Sequence, residues 1–148
     1  MPFCCRSFLS LKNIFLGSQN VSPHSDGAFT GEVSAKMIKD INCNYVIIGH
    51  SERRHIFGES DKILSYKVAV STSIKLNTIL CVGETASERR KKMTKKVVAR
   101  QLKTALLPSK NILKKNLQKL VIAYEPVWAI GTGNNATCLL YTSQSQRD

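Results

Sequence analysis

Apolar residues along this chain fall into short unbroken runs separated by longer stretches with helical spacing. Tyr45 to Ile48, Thr78 to Val82 and Leu120 to Tyr124 are continuous rather than alternating, the pattern of strands buried on both faces of a parallel sheet. A weaker run, Ile14 to Leu16, precedes Gln19-Asn20. Each run leads into polar or Gly residues and then into a helix-like segment. Val33, Met37 and Ile41, at four-residue steps, predict a short helix over Val33 to Ile41. Ser60 reads as an N-cap before Asp61, opening a second helix with Ile63, Leu64, Val68 and Ser71 on one face and Asn77 as its end. A third is predicted from Ser87 to Leu107, with Val98, Leu102, Ala105 and Leu106 as its apolar stripe and Pro108 as its stop. Strand, loop and helix recur with crossovers long enough for parallel pairing, which predicts an α/β fold. Spacing alone leaves open sheet and closed barrel as alternatives.

Composition narrows the class. The 148 residues are 43% hydrophobic and 22% charged, a globular balance. The net charge of +12 concentrates between Arg89 and Lys103 and between Lys110 and Lys119. Without zinc-ligand spacing or interleaved aromatics, these runs read as solvated helix faces rather than a nucleic-acid surface. Five cysteines, Cys4, Cys5, Cys43, Cys81 and Cys138, form no repeated spacing, and their odd number suits unpaired thiols in a reducing compartment; the localisation expected is cytoplasmic. No apolar segment approaches a membrane span. The acid-free start, with Arg6 and Lys12, has some targeting-peptide character, but its apolar residues lead straight into a strand-like run.

Candidate chemistry collects at the ends of the predicted strands. Those ends hold Gln19-Asn20, Gly49-His50-Ser51-Glu52, Gly83-Glu84 and Glu125, and in an α/β fold they share one face. Pro126 stops ladder pairing after Glu125, while Gly131 and Gly133 permit close backbone approach to a ligand. Val127, Trp128, Ala129 and Ile130 are too apolar for a solvated loop and predict a lid. Gly131-x-Gly133 carries only part of a dinucleotide-binding fingerprint and lacks its following helix. Taken singly, His50 also fits a structural histidine, and Glu125 an ion-pair partner of Arg53 or Arg54.

Two long motifs together, Asn44-Tyr-Val-Ile-Ile-Gly-His-Ser-Glu-Arg-Arg54 and Ala123-Tyr-Glu-Pro-Val-Trp-Ala-Ile-Gly-Thr-Gly133, closely resemble the triosephosphate isomerase family. Gln19-Asn-Val-Ser22, Gly27-Ala-Phe-Thr-Gly-Glu32 and Ile79-Leu-Cys-Val-Gly-Glu84 match in the same order. The resemblance covers residues 14–137 and implies strands three to six of a (β/α)8 barrel, an α/β fold of parallel strands alternating with helices, here not closed. Residues 1–13 lack the family's Asn-x-Lys strand, residues 138–148 match none of its later phosphate loops, and Asn134 stands where a lysine is common. Both ends are therefore expected to be foreign to the barrel.

The resemblance also implies roles. Glu125 is expected to be the base, and His50 the neutral electrophile, in interconverting dihydroxyacetone phosphate and glyceraldehyde 3-phosphate through an enediolate in glycolysis and gluconeogenesis. Pro126, Val127, Trp128, Ala129, Ile130, Gly131 and Thr132 would form the lid, with the Gly131 N–H reaching the substrate phosphate. Ser51 and Glu52 would neighbour the pair, Arg53 would be a supporting ion-pair partner, and Thr30 would sit at a homodimer interface. Proton transfer by this pair requires no metal or organic cofactor. Four strands cannot close an eight-stranded barrel, so the chain by itself is expected to be inactive. The alternative is a non-enzymatic truncated product that associates through its dimer loop or open strand edges.

Overall fold

The computed structural model describes residues 13–129 of the chain. Four parallel strands form one sheet in the order of the sequence: β1 (Gly17–Ser18), β2 (Tyr45–Ile48), β3 (Asn77–Val82) and β4 (Leu120–Tyr124). A sequential order with right-handed crossovers winds all the helices onto one side, as in a barrel segment, whereas a doubly wound sheet would reverse. Among the described residues the sheet is open. β1 lies just beyond the predicted run of Ile14 to Leu16, because Ile14 and Phe15 are exposed and only Leu16 packs against the core.

The strands alternate more than their composition suggests. Val46, Ile48, Thr78, Leu80 and Val82 are buried, whereas Tyr45, Ile47, Asn77 and Ile79 are half-buried. One face packs against helices and the other is only partly covered, which corrects the expectation of strands buried on both faces.

Helix α1 (Ala35–Asp40) is capped by Ser34, whose hydroxyl accepts the Met37 N–H and donates to Asp26. Its predicted stripe is incorrect: Val33, Met37 and Ile41 are exposed, while Ala35 and Ile38 enter the core with Val21 and Cys43. A short helix, α2 (Ser51–His55), follows β2 directly and was not anticipated. Helix α3 (Asp61–Ser73) begins at Ser60 as predicted, the Ser60 hydroxyl accepting the Ile63 N–H at 3.3 Å. Leu64, Val68 and Ser71 are buried on it. It ends before Lys75, whose φ of +62° turns the chain, and Asn77 already belongs to β3.

The predicted third helix is two. Helix α4 (Ala86–Arg90) opens with a capping box between Thr85 and Glu88, and Lys92 at φ +55° separates it from α5 (Thr94–Leu106). Val97, Gln101 and Ala105 are the buried row of α5, while Val98, Leu102 and Leu106 pack at its flank. Pro108 does stop α5, but within a single 3-10 turn that feeds α6 (Lys110–Asn116).

One buried cation anchors α3. Lys67 is 2% exposed, and its ammonium donates to Glu59 Oε1 at 2.6 Å and Asn20 Oδ1 at 2.7 Å. Burial pulls its pKa down, and the Glu59 hydrogen bond and charge offset that only in part. Arg53 Nε shares the same Glu59 oxygen at 2.7 Å. Lys67→Met leaves Glu59 to Arg53 alone and Asn20 Oδ1 without this donor, so it should lower unfolding free energy by about 1–3 kcal/mol. Urea titration should show part of that loss restored in Lys67→Met combined with Glu59→Gln.

Candidate active site

The in-register ladder decides which side chains meet. Ile48 pairs with Leu80, Leu80 with Ile122, and Val82 with Tyr124, so the three strands end almost level. The residues just past those ends are therefore neighbours. The backbone N–H of Glu125 donates to Val82 O at 2.8 Å. Gly83 lies so close that a Cβ there would meet the Glu125 carbonyl oxygen at 1.8 Å, so only glycine fits. Gln101 of α5 fixes this glycine by accepting its N–H at 2.9 Å and donating to its carbonyl at 3.0 Å.

His50 is the N-cap of α2, and its Nδ1 accepts the Glu52 N–H at 3.3 Å. A lone pair used this way leaves the ring proton on Nε2. Nε2 lies 3.3 Å from Glu125 Oε1, while Glu125 Oε2 accepts the Ser51 N–H at 3.0 Å. The carboxylate is thus oriented by a neutral ring and a backbone amide. Neither Arg53, held by Glu59, nor Arg54, paired with Asp61, forms the ion pair that a strand-end glutamate could have sought. Cys81 also faces Glu125, and its thiol is pushed up to about 12, first by burial and then by the Glu125 charge and hydrogen bond. Beside His50 a cleft of about 560 Å³ opens between Gln19, Asn20, Ile47, Glu52, Arg53 and Phe57.

Behind this pair sits a carboxylate that the strand-end pattern flagged without a role. Glu84 is fully buried, and its carboxylate accepts from Tyr124 Oη at 2.9 Å, Thr94 Oγ1 at 3.0 Å and Arg89 Nη1 at 3.1 Å. Burial alone would raise its pKa, but its own backbone N–H and then Tyr124, Thr94 and Arg89 more than compensate and hold it below the ordinary value. Tyr124 is shifted upward, by burial first and by Glu84 second. The Arg89 guanidinium covers the Trp128 ring at 4.2 Å, so the network reaches the start of the predicted lid.

Within that segment, Val127–Ala129 form one 3-10 turn and Pro126 accepts the Ala129 N–H at 2.8 Å. Ile130, Gly131 and Thr132 lie outside the described residues. Thr30 is exposed on the loop between Ser22 and Val33, which a 2.9 Å backbone hydrogen bond closes, and it is far in sequence from the His50–Glu125 pair. Among the described residues no cluster of three His, Cys, Asp or Glu is arranged to hold a metal ion, and no helix is long and apolar enough to cross a membrane.

Because Glu84 is held below its ordinary value, its share of stability is present at neutral pH and is lost as acid protonates the folded state. Tyr124→Phe should cost about 1–3 kcal/mol at pH 7 by leaving a buried carboxylate short of a donor. Glu84→Gln should flatten part of the stability loss between neutral and acidic pH, as read from urea midpoints across that range.

A family model described as triosephosphate isomerase matches residues 4–140. The triosephosphate isomerase of Herminiimonas arsenicoxydans is 49% identical over 133 residues, covering 90% of this chain and 52% of that protein. That of Thiobacillus denitrificans is 53% identical over 121 residues, covering 82% and 48%. That of Fusobacterium nucleatum is 45% identical over 140 residues, covering 92% and 55%. The chain spans about half the length of the curated relatives it matches.

Proposed function

Since the chain belongs to the triosephosphate isomerase family, we propose that it carries the proton-transfer half of an aldose–ketose isomerase site, acting on dihydroxyacetone phosphate and glyceraldehyde 3-phosphate. The observation that carries this reading is the 3.3 Å approach of His50 Nε2 to Glu125 Oε1. Glu125 removes a proton from the carbon beside the substrate carbonyl, and the electron pair moves onto the carbonyl oxygen to give an enediolate. The His50 Nε2–H hydrogen-bonds that oxygen as charge builds, and a neutral donor does so without first giving up a solvated charge. Glu125 then returns the proton to the adjacent carbon, completing the isomerisation with no net change in atoms or electrons.

The remaining roles follow from the family resemblance. Residues 126–132 act as a lid, the Gly131 N–H binds the substrate phosphate, and closure keeps water from an enediolate that would otherwise expel phosphate. Ser51 orients Glu125 through its backbone N–H, Glu52 fixes the His50 ring, and Arg53 acts at one remove through Glu59. Thr30 lies at a contact with a second copy, in a cytoplasmic homodimer.

A chimera tests the chemistry directly: residues 14–129 replace the matching stretch of the Herminiimonas relative, and turnover is followed in a coupled assay. The chimera should be active, Glu125→Gln should lower kcat by about 10²–10⁴ with little change in KM, and His50→Gln should lower it by about 10²–10³. A folded chimera in which Glu125→Gln turns over normally would remove the proposal.

The 148-residue chain alone should show no appreciable turnover, because four strands do not close an eight-stranded barrel and β4 leaves Val121 and Ile122 exposed at 46% and 40%. Robust activity of the purified chain would contradict this. Those exposed edge residues also favour a second reading, a non-enzymatic product that self-associates. A sharp dimer on a sizing column, persisting without activity, would support that reading.

A further inference from the structure

Arg54 is the most tightly engaged cation near the pair, and the proton-transfer scheme does not use it. Its side chain is 9% exposed, and all three guanidinium nitrogens are committed. Nε donates to the Gly49 carbonyl at 2.8 Å, Nη2 to the Cys81 carbonyl at 3.0 Å and Nη1 to Asp61 Oδ1 at 2.6 Å. The two carbonyls belong to different strand ends. Gly49 immediately precedes His50, and Cys81 lies on β3 with its thiol toward Glu125. Asp61, in the first turn of α3, neutralises the buried charge and fixes its height over the sheet.

The chain makes room for this fork. Gly49 has φ +77°, and a Cβ there would come within 3.0 Å of Arg54 Nη2 and 3.1 Å of the Cys81 carbonyl oxygen. A glycine at the strand end therefore does two things at once: it turns the chain toward His50 and clears a path for a guanidinium between β2 and β3.

We propose that Arg54 is a positioning residue for the candidate reaction, a clamp that joins the ends of β2 and β3 and thereby sets the separation of His50 and Glu125. The proposal rests on the reading of His50 and Glu125 as the reacting pair, but its evidence is their geometry rather than turnover. Only a planar fork reaches three acceptors in these directions. A lysine keeps the charge but gathers its donors on one nitrogen, which cannot stand at hydrogen-bond distance of all three acceptors, leaving a strand-end carbonyl free to shift.

The test uses the 148-residue chain with two readouts, the His50 ring-nitrogen signals across a pH titration and the exchange rate of the Ser51 amide, which bonds Glu125. In Arg54→Lys the His50 titration should move, and Ser51 should exchange at least about tenfold faster, the factor expected when a hydrogen bond to a charged group is weakened. Ile38→Val, a core variant on α1 outside the clamp and its partners, should lower Tm while leaving both readouts as in the parent, which separates positioning from general destabilisation. A folded Arg54→Lys with both readouts unchanged overturns the proposal. Should that variant lose its circular dichroism, Asp61→Asn decides, since it frees the clamp without removing it: a moved His50 titration supports the proposal and an unmoved one overturns it. Failure of the isomerase reading would show separately, as normal turnover in the Glu125→Gln chimera.

Discussion

Parallel pairing without slippage across β2, β3 and β4 is the constraint from which the rest of the site follows. Because Ile48, Leu80 and Ile122 stand level, the residues one or two steps beyond each strand emerge side by side. A one-residue slip would turn every side chain to the opposite face of its strand and send Glu125 away from His50. Two devices resist that slip. Gly83 admits the Glu125 backbone where any side chain would exclude it, and the Gln101 amide pins both polar groups of that glycine. Strand alignment, normally a matter of core packing, is here reinforced by hydrogen bonds from α5.

The same end of the sheet sorts its acids by partner. Glu59 is held by Lys67 and Arg53, Asp61 by Arg54, and Glu84 by Arg89 with Tyr124 and Thr94. Among the described residues Glu125 meets no Lys or Arg, and its contacts are the His50 imidazole, the Ser51 N–H and the Cys81 thiol. A carboxylate pinned by a guanidinium spends its lone pairs on a permanent cation and is a poor acceptor for a carbon-bound proton. On the proposed reading, Glu125 keeps one free for a substrate proton. The surrounding ion pairs therefore serve the candidate chemistry indirectly, by fixing the scaffold and by occupying the cations that would otherwise compete for this group.

Much of this was legible in the sequence, and the exceptions have physical causes. Continuous apolar runs located β2, β3 and β4, Ser60 announced α3, and the strand-end positions of His50 and Glu125 put both on one face. The break between α4 and α5 was hidden because the left-handed residue there is Lys92, and lysine carries no signal for that conformation. The stripe of Val33, Met37 and Ile41 misled for a different reason. Helical spacing identifies a face but not what covers it, and in α1 the core took Ala35 and Ile38 instead. Tertiary partners were the least legible. Nothing local distinguishes Arg54 from Arg53, yet one clamps two strand ends while the other supports Glu59.

Geometry and enclosure come apart in this chain. Among the described residues, the contacts that hold the strand ends beside His50 and Glu125 run through Gly49, Ser51, Gly83, Arg54 and Gln101. The uncovered surfaces lie elsewhere: the half-buried face of Tyr45, Ile47 and Ile79, and the outer edge carrying Val121 and Ile122. A pair of groups can thus be correctly spaced by local structure while the dry, low-dielectric surroundings that strengthen their interactions are a separate requirement. Under the proposed reaction, spacing alone orients Glu125 as a base, and protecting the enediolate requires in addition that water be excluded.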